Sequence, residues 1–196
     1  PWKRISMHDS LKEIGGLPND LDLFDTKALV KVAEQKNIKL AEPEDWGRVV
    51  EELWGTLVEH KLVNPTFITH HPFSISPLAR KNSKNPLITD RFEMICCGME
   101  VCNAFSELND AEDQRERFEE QLKRKEKGDK EANDLDEDFL KALEHGMPPT
   151  GGHGIGIDRL VMLLTNQQSI RDIVLFPQLK PIEQETQEEI SEEKKE

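Results

Sequence analysis

The segment that decides the fold is DRFEMICCGMEVCNAFSELND, residues 90–110. Apolar residues are dense on both sides of Gly98, which predicts two strands joined by a hairpin turn. Three glutamates lie within these strands, although carboxylates are disfavoured in sheets: Glu93, Glu100 and Glu107. A carboxylate among apolar residues is costly to bury unless it finds a partner. The hairpin is therefore either a binding site or a sheet with one solvated face.

The spacing of the glutamates indicates what the hairpin could bind. A two-residue turn at Gly98–Met99 would place Glu93 and Glu100 on one face, and a carboxylate pair suits Mg²⁺ beside phosphates. Three further residues have the opposite parity: Asn103, Phe105 and Glu107. A β-bulge near Val101–Cys102 would bring them to the same side. The alternative is that these glutamates only solubilise an exposed face.

A second segment, GGHGIGIDR at residues 151–159, predicts a glycine-rich strand followed by a helix. Alternating glycines let a flat ligand lie against the backbone. We expect Asp158 to cap the helix and Arg159, in its first turn, to stack on a base or pair with phosphate. The GGxGxG spacing does not match a Rossmann fingerprint. Tight packing is the alternative use of these glycines.

The remaining sequence predicts an α+β fold, with an antiparallel sheet flanked by helices. Helices are expected at about 6–14, 25–37, 44–60, 111–128 and 136–144, with a short strand at 66–69. Helical spacing of Trp46 and Trp54 favours core packing over a ligand platform. Residues 70–86 should form a loop. Its His70–His71 pair is a poor chelate, because neighbours on an extended chain point to opposite faces.

Composition excludes several classes of protein. The 196 residues carry 39 acidic and 26 basic side chains, a net charge of −13, which argues against a dedicated nucleic-acid module. The longest apolar run, residues 160–164, is far below the roughly 18 residues of a membrane span. Cys96, Cys97 and Cys102 fit no disulfide or zinc spacing, so we expect reduced, half-buried strand thiols in a cytoplasmic protein. No leader follows Pro1, and residues 182–196 are expected to be a disordered acidic tail.

Together these segments resemble the class II aminoacyl-tRNA synthetases and, among them, the lysyl-tRNA synthetases. GIGIDRLVML is similar to the family's third signature motif, and GMEVCNAFSELNDAEDQRERFEEQ to the segment that lines the lysine pocket. THHPFSISPLARKN, ITDRFE, ALEHGMPPTGG and IVLFPQLKP also match in family order. NAFSELND differs from the aspartyl and asparaginyl relatives. The resemblance implies that residues 1–181 are the C-terminal part of a catalytic domain.

The resemblance also implies a role for each candidate site residue. Mg²⁺ would be held by Glu93 and Glu100. ATP would contact Glu100, Val101, Gly156 and Arg159. Lysine would lie against Asn103, Phe105 and Glu107, with Glu107 paired to the ε-ammonium group. The catalytic residues would be Arg159 and Glu100.

The implied reaction joins L-lysine to ATP as lysyl-adenylate and then transfers lysine to tRNA(Lys), in a cytoplasmic homodimer without membrane contact. The family's first motif, the arginine of its second motif and its anticodon-binding barrel are not found in these residues. We therefore expect a fragment that is inactive alone. Two alternatives stay open: a synthetase paralogue that attaches a lysine-like group to a protein, and a non-catalytic binding or regulatory module.

Overall fold

The computed structural model describes residues 1–126, 128 and 134–178, so the predicted acidic tail at 182–196 lies outside the described residues. Its strands are β1 (Lys3–Ser6), β2 (Thr66–Thr69), β3 (Arg91–Cys96), β4 (Met99–Ser106) and β5 (Gly151–Ile155). Its helices are α1 (Met7–Glu13), α2 (Thr26–Gln35), α3 (Trp46–Leu57), α4 (Ala111–Glu126), α5 (Glu137–Glu144) and α6 (Ile157–Thr165). Short 3₁₀ turns occupy Glu59–Lys61, Phe73–Ile75 and Ile170–Asp172. The predicted helices are confirmed to within a few residues at their ends.

The five strands form one sheet in the order β1-β2-β3-β4-β5. The pairs β2–β3, β3–β4 and β4–β5 are antiparallel, but β1 pairs with β2 in parallel. The chain between β1 and β2 runs through α1, α2 and α3, and parallel strands need such a long crossover. The predicted α+β sheet flanked by helices is confirmed, with one parallel pair at its edge.

Acidic and hydroxyl side chains start the first three helices. Ser6 Oγ accepts from the Asp9 amide at 3.0 Å and donates to the Asp9 carboxylate at 2.6 Å, at the start of α1. Asp25 and Asp45 accept from the first amides of α2 and α3. These contacts satisfy backbone N–H groups that have no partner inside the helix. They fix where each helix leaves the preceding loop.

The main core lies between α1–α3 and one face of β1–β3. Its fully buried side chains include Leu11, Leu29, Leu53, Ile68 and Ile95. Trp46 and Trp54 are buried in the same cluster, which confirms their predicted packing role. Trp46 also donates its indole N–H to the Leu23 carbonyl at 2.8 Å. The core stops at β3, and β4 and β5 lie beyond it.

Helix α4 fixes the proline-rich segment at 70–86, which is irregular as predicted. Arg117 of α4 is 4% exposed and donates to the carbonyls of Ser76 and Ala79 at 3.2 and 2.5 Å. Its guanidinium is paired with Asp113, one turn earlier, at 2.9 Å. The segment is therefore held from one side by α4 and from the other by the sheet. Within the described ranges, no helix has both the length and the apolar character needed to cross a membrane.

Candidate active site

The β3–β4 hairpin turns at Cys97–Gly98, one residue before the predicted Gly98–Met99. Cys97 and Gly98 have φ angles of +52° and +70°, the left-handed pair that a two-residue hairpin turn of this kind requires. Glycine is favoured at the second central position of such a turn, and Gly98 occupies that position. The predicted turn position is wrong, and Cys97 is exposed rather than a half-buried strand residue.

A register shift confirms the predicted β-bulge in β4. Met94 pairs with Cys102 and Ile95 pairs with Glu100, which leaves Val101 as the extra residue. In an uninterrupted strand Glu100 and Asn103 would point to opposite faces, because their separation is odd. The extra residue reverses that relationship. Glu100 therefore shares a face with Asn103, and also with Glu93, which pairs with Asn103.

Arg91, a residue with no role predicted from the sequence, joins two of the candidate residues. Its guanidinium pairs with Glu93 at 2.5 Å and donates to Asn103 Oδ1 at 3.2 Å. The same guanidinium donates to the Ile75 carbonyl at 3.2 Å and to the Ser76 hydroxyl at 3.0 Å. The available signal was the two-residue spacing of Arg91 and Glu93, which places them on one strand face.

Glu93 has a raised pKa, chiefly because of burial. Arg91 opposes this shift, while the nearby Glu100 carboxylate adds to it. The two acids thus repel each other across one sheet face. No group of three or more His, Cys, Asp or Glu side chains suited to a metal exists among the described residues. Two carboxylates still fit Mg²⁺, which is commonly held by one or two carboxylates together with substrate phosphates.

Glu107 lies directly over Gly152 of β5. Its amide donates to the Thr150 carbonyl at 2.9 Å, and a Cβ built at Gly152 would overlap its carboxylate. Cβ atoms at Gly151 and Gly154 would meet nothing within 4 Å. Close packing therefore explains one glycine of the strand and leaves open space beside others. Burial raises the pKa of Glu107.

Arg159 is tied to Glu100 by two contacts. Its Nη1 donates to the Glu100 carbonyl at 2.7 Å and lies 3.4 Å from the carboxylate Oε2. The Gly156 amide donates to the Val101 carbonyl at 2.9 Å, which joins the start of α6 to β4. The Arg159 side chain is 49% exposed. A cation is thus held at a fixed place beside the sheet while remaining open to a ligand.

The predicted capping role of Asp158 is wrong. Helix α6 begins at Ile157, and its N-cap is Gly156, which has no side chain for a capping bond. Asp158 already belongs to the first turn of the helix. A carboxylate in that position favours the helix dipole without capping it.

The cavities show which candidate residues come together. A cavity of about 340 Å³ has all four residues assigned to ATP in its lining, together with Asn103: Glu100, Val101, Gly156 and Arg159. Phe105 lines a neighbouring cavity with Arg91 and Gly152. Glu93 lines a different one, beneath the helices. The candidate metal pair therefore shares a sheet face but not a cavity.

The site combines three features: a glycine-rich strand, an arginine in the first turn of the helix that follows it, and a hairpin that carries glutamates and a β-bulge. Comparison with known families agrees with this combination. The family model for class II tRNA synthetases (D, K and N) matches residues 1–180. The chain belongs to this family. The resemblance stated from the sequence is confirmed.

Its curated relatives narrow the comparison to one amino acid. A lysine–tRNA ligase of Dehalococcoides mccartyi (strain ATCC BAA-2266) is 51% identical over 191 residues, 96% of this chain and 38% of the relative. That of Helicobacter hepaticus is 52% identical over 181 residues, 92% of this chain and 35% of the relative. That of Christiangramia forsetii is 49% identical over 196 residues, covering 100% of this chain and 34% of the relative. The chain spans about a third of the length of these relatives.

Proposed function

We propose that this chain supplies the lysine- and ATP-binding side of a lysine–tRNA ligase active site. In this reaction the lysine carboxylate bonds to the α-phosphorus of ATP and releases pyrophosphate, which gives lysyl-adenylate, and lysine then passes to tRNA(Lys) with release of AMP. The observation that carries the proposal is the register shift at Val101. It places Glu100 and Asn103 on one face, next to the arginine of the glycine-rich motif.

Lysine selection falls to the end of β4. The Glu107 carboxylate would pair with the ε-ammonium group, and Asn103 and Phe105 would lie beside the bound amino acid. The raised pKa of Glu107, caused by burial, supports this role, because a carboxylate away from water gains most from a cationic partner. The hydrogen bond that Arg91 donates to Asn103 Oδ1 would hold the Asn103 side-chain amide in place before lysine binds.

ATP binding falls to the junction of β4 and α6. Arg159 would lie against the adenine and the γ-phosphate, and Gly156 and Val101 would form the wall beside them. Attack of the lysine carboxylate on the α-phosphorus builds negative charge on the phosphate oxygens. Donors that are already in place stabilise such charge without reorganisation. Mg²⁺ held by Glu93 and Glu100 would neutralise phosphate charge.

We also propose a cytoplasmic homodimer as the working form. All three cysteines of the chain are free, which is usual for a reducing compartment. The dimer and the tRNA substrate rest on the family alone.

Lysine-dependent exchange of pyrophosphate into ATP, measured on the full-length gene product together with charging of tRNA(Lys), tests the proposal. We expect both activities, and we expect Arg159→Ala to abolish exchange. Arg171→Ala is the control, because Arg171 is an exposed arginine just beyond α6. Exchange without tRNA charging, with lysine transferred to a protein, would support the paralogue. Absence of lysine-dependent exchange would overturn the proposal.

A further inference from the structure

Two neighbouring thiols meet at the tip of the β3–β4 hairpin. Cys96 Sγ and Cys97 Sγ are 4.0 Å apart, whereas a disulfide would hold them at about 2.0 Å. Both are free cysteines. Two metal–sulfur bonds of about 2.3 Å, at the angle of about 120° that three ligands make around one ion, span about 4.0 Å. A single ion could join these sulfur atoms with little movement.

A third sulfur lies across the hairpin. Met99 is the register partner of Cys96, and directly opposed residues of an antiparallel pair have Cβ atoms about 4.5–5.5 Å apart. The methionine side chain is unbranched and adaptable, and it is long enough to bridge that separation. Thiolate and thioether together form a soft ligand set.

The turn that carries the thiols is fixed to the rest of the protein. The Cys97 and Gly98 amides donate to the Val63 and Leu62 carbonyls, both at 3.0 Å. Cys97 is exposed and Cys96 is partly exposed. The site is therefore held in shape before an ion arrives, and it is open to solvent. Neither feature depends on lysine or ATP binding.

We propose that the hairpin tip binds one soft monovalent ion of the copper(I) class, through the thiolates of Cys96 and Cys97 and the thioether of Met99. The ion displaces one proton from each thiol, and both protons leave to solvent. Among the described residues no third Cys or His joins the pair, so the four-ligand set of a structural zinc site is not built here. The thioether favours monovalent copper instead.

Anaerobic titration of the full chain with copper(I), in competition with a chromophoric copper(I) chelator, tests this site. We expect one ion per chain. Cys96→Ser and Cys97→Ser should each lower the affinity about 100-fold or more, and Met99→Leu about tenfold, since even residues that only support a metal site contribute 10–100-fold. Cys102→Ser is the matched control and should bind normally.

A second readout identifies the thiols directly. Bound copper should protect Cys96 and Cys97 from alkylation by iodoacetamide and leave Cys102 reactive, as measured by mass spectrometry of peptides. Unchanged affinity in Cys97→Ser, which alters only an exposed side chain, would overturn the proposal. So would unchanged affinity in Met99→Leu, or equal protection of all three cysteines. Thermal unfolding of each variant checks that the hairpin is intact.

Discussion

The carboxylate of Glu107 occupies the space that a side chain at Gly152 would need. Gly152 lies in β5, and Glu107 directly follows the end of β4, which pairs with β5 from Cys102 to Ser106. The glycine therefore sets how close the carboxylate lies to the sheet. In the proposed function it also sets the depth of the lysine pocket.

Gly152→Ala should weaken lysine binding selectively. The new methyl group would displace the carboxylate, and a hydrogen bond to a charged group contributes about 1.5–3 kcal/mol, or about 10–100-fold in binding. We expect the KM for lysine to rise by that factor while the KM for ATP stays near its original value. Gly151→Ala is the matched control, because a Cβ there meets nothing within 4 Å. Equal effects of the two alanines would contradict this account.

Glu107→Gln should remove both lysine affinity and its dependence on pH. Burial raises the pKa of Glu107, so the carboxylate becomes neutral at a higher pH than an exposed glutamate does. A neutral acid cannot pair with the ε-ammonium group, so lysine binding should weaken as the pH falls through this raised pKa. We expect that acidic limb in a pH profile of kcat/KM for lysine. Its persistence in the glutamine variant would assign it to another group.

Arg91→Lys tests whether Arg91 is a positioning residue. Lysine keeps the charge but loses the planar set of donors that joins Glu93, Asn103 and the Ile75 carbonyl. We expect the KM for lysine and the Mg²⁺ concentration for half-maximal exchange to rise together. Arg4→Lys, an exposed change on β1, should alter neither. Loss of thermal stability with unchanged kinetic constants would leave Arg91 a purely structural role.

His71 should make folding stability depend on pH. Burial and the nearby Arg91 lower its pKa from 6.5 to about 3, so the unfolded chain takes up a proton where the folded chain does not. Stability should therefore fall as the pH drops from 6.5 towards 3, at up to about 1.4 kcal/mol per pH unit. Urea unfolding across this range should show a flatter profile for His71→Gln. The exposed His60→Gln should retain the original slope.

Asp45 should stabilise the fold more than Asp25 does. Both cap a helix, but Asp45 also accepts from the Ser74 hydroxyl at 2.6 Å and pairs with Arg124 of α4 at 2.9 Å. Loss of a cap alone costs about 1 kcal/mol. We expect about that value for Asp25→Ala and about 2–3 kcal/mol for Asp45→Ala, because its additional partners also lose their acceptor. Chemical denaturation of the two variants provides the comparison.

Local signals in the sequence predicted the parts of the site that depend on neighbouring residues. The bulge near Val101 follows from residue type and spacing along a short stretch of chain. The role of Arg91 does not, because its partners Ile75 and Ser76 come from the irregular segment before β3. The alternation of side chains along a strand predicts which face of the sheet Arg91 lies on, but it does not predict which loop covers that face.

The turn position illustrates a second limit. Cysteine has no preference for the left-handed region, so nothing in its residue type predicted that Cys97 would occupy it. The strand register holds Cys97 in this conformation, together with the hydrogen bonds from the Cys97 and Gly98 amides to the Val63 and Leu62 carbonyls. Likewise, the parallel pairing of β1 is a property of the crossover through three helices and is not encoded within KRIS itself.

The extra residue at Val101 makes the site depend on strand register more than on the side chain at that position. Any side chain at position 101 preserves the residue count, and with it the side of the sheet that Glu100 faces. Deletion of Val101 would leave Glu100 opposite Ile95 and Asn103 opposite Glu93 in a regular ladder, so the two side chains would still share one face. A strand that kept every residue but lost the bulge would instead turn Glu100 and Asn103 to opposite sides, with every chemical group still present.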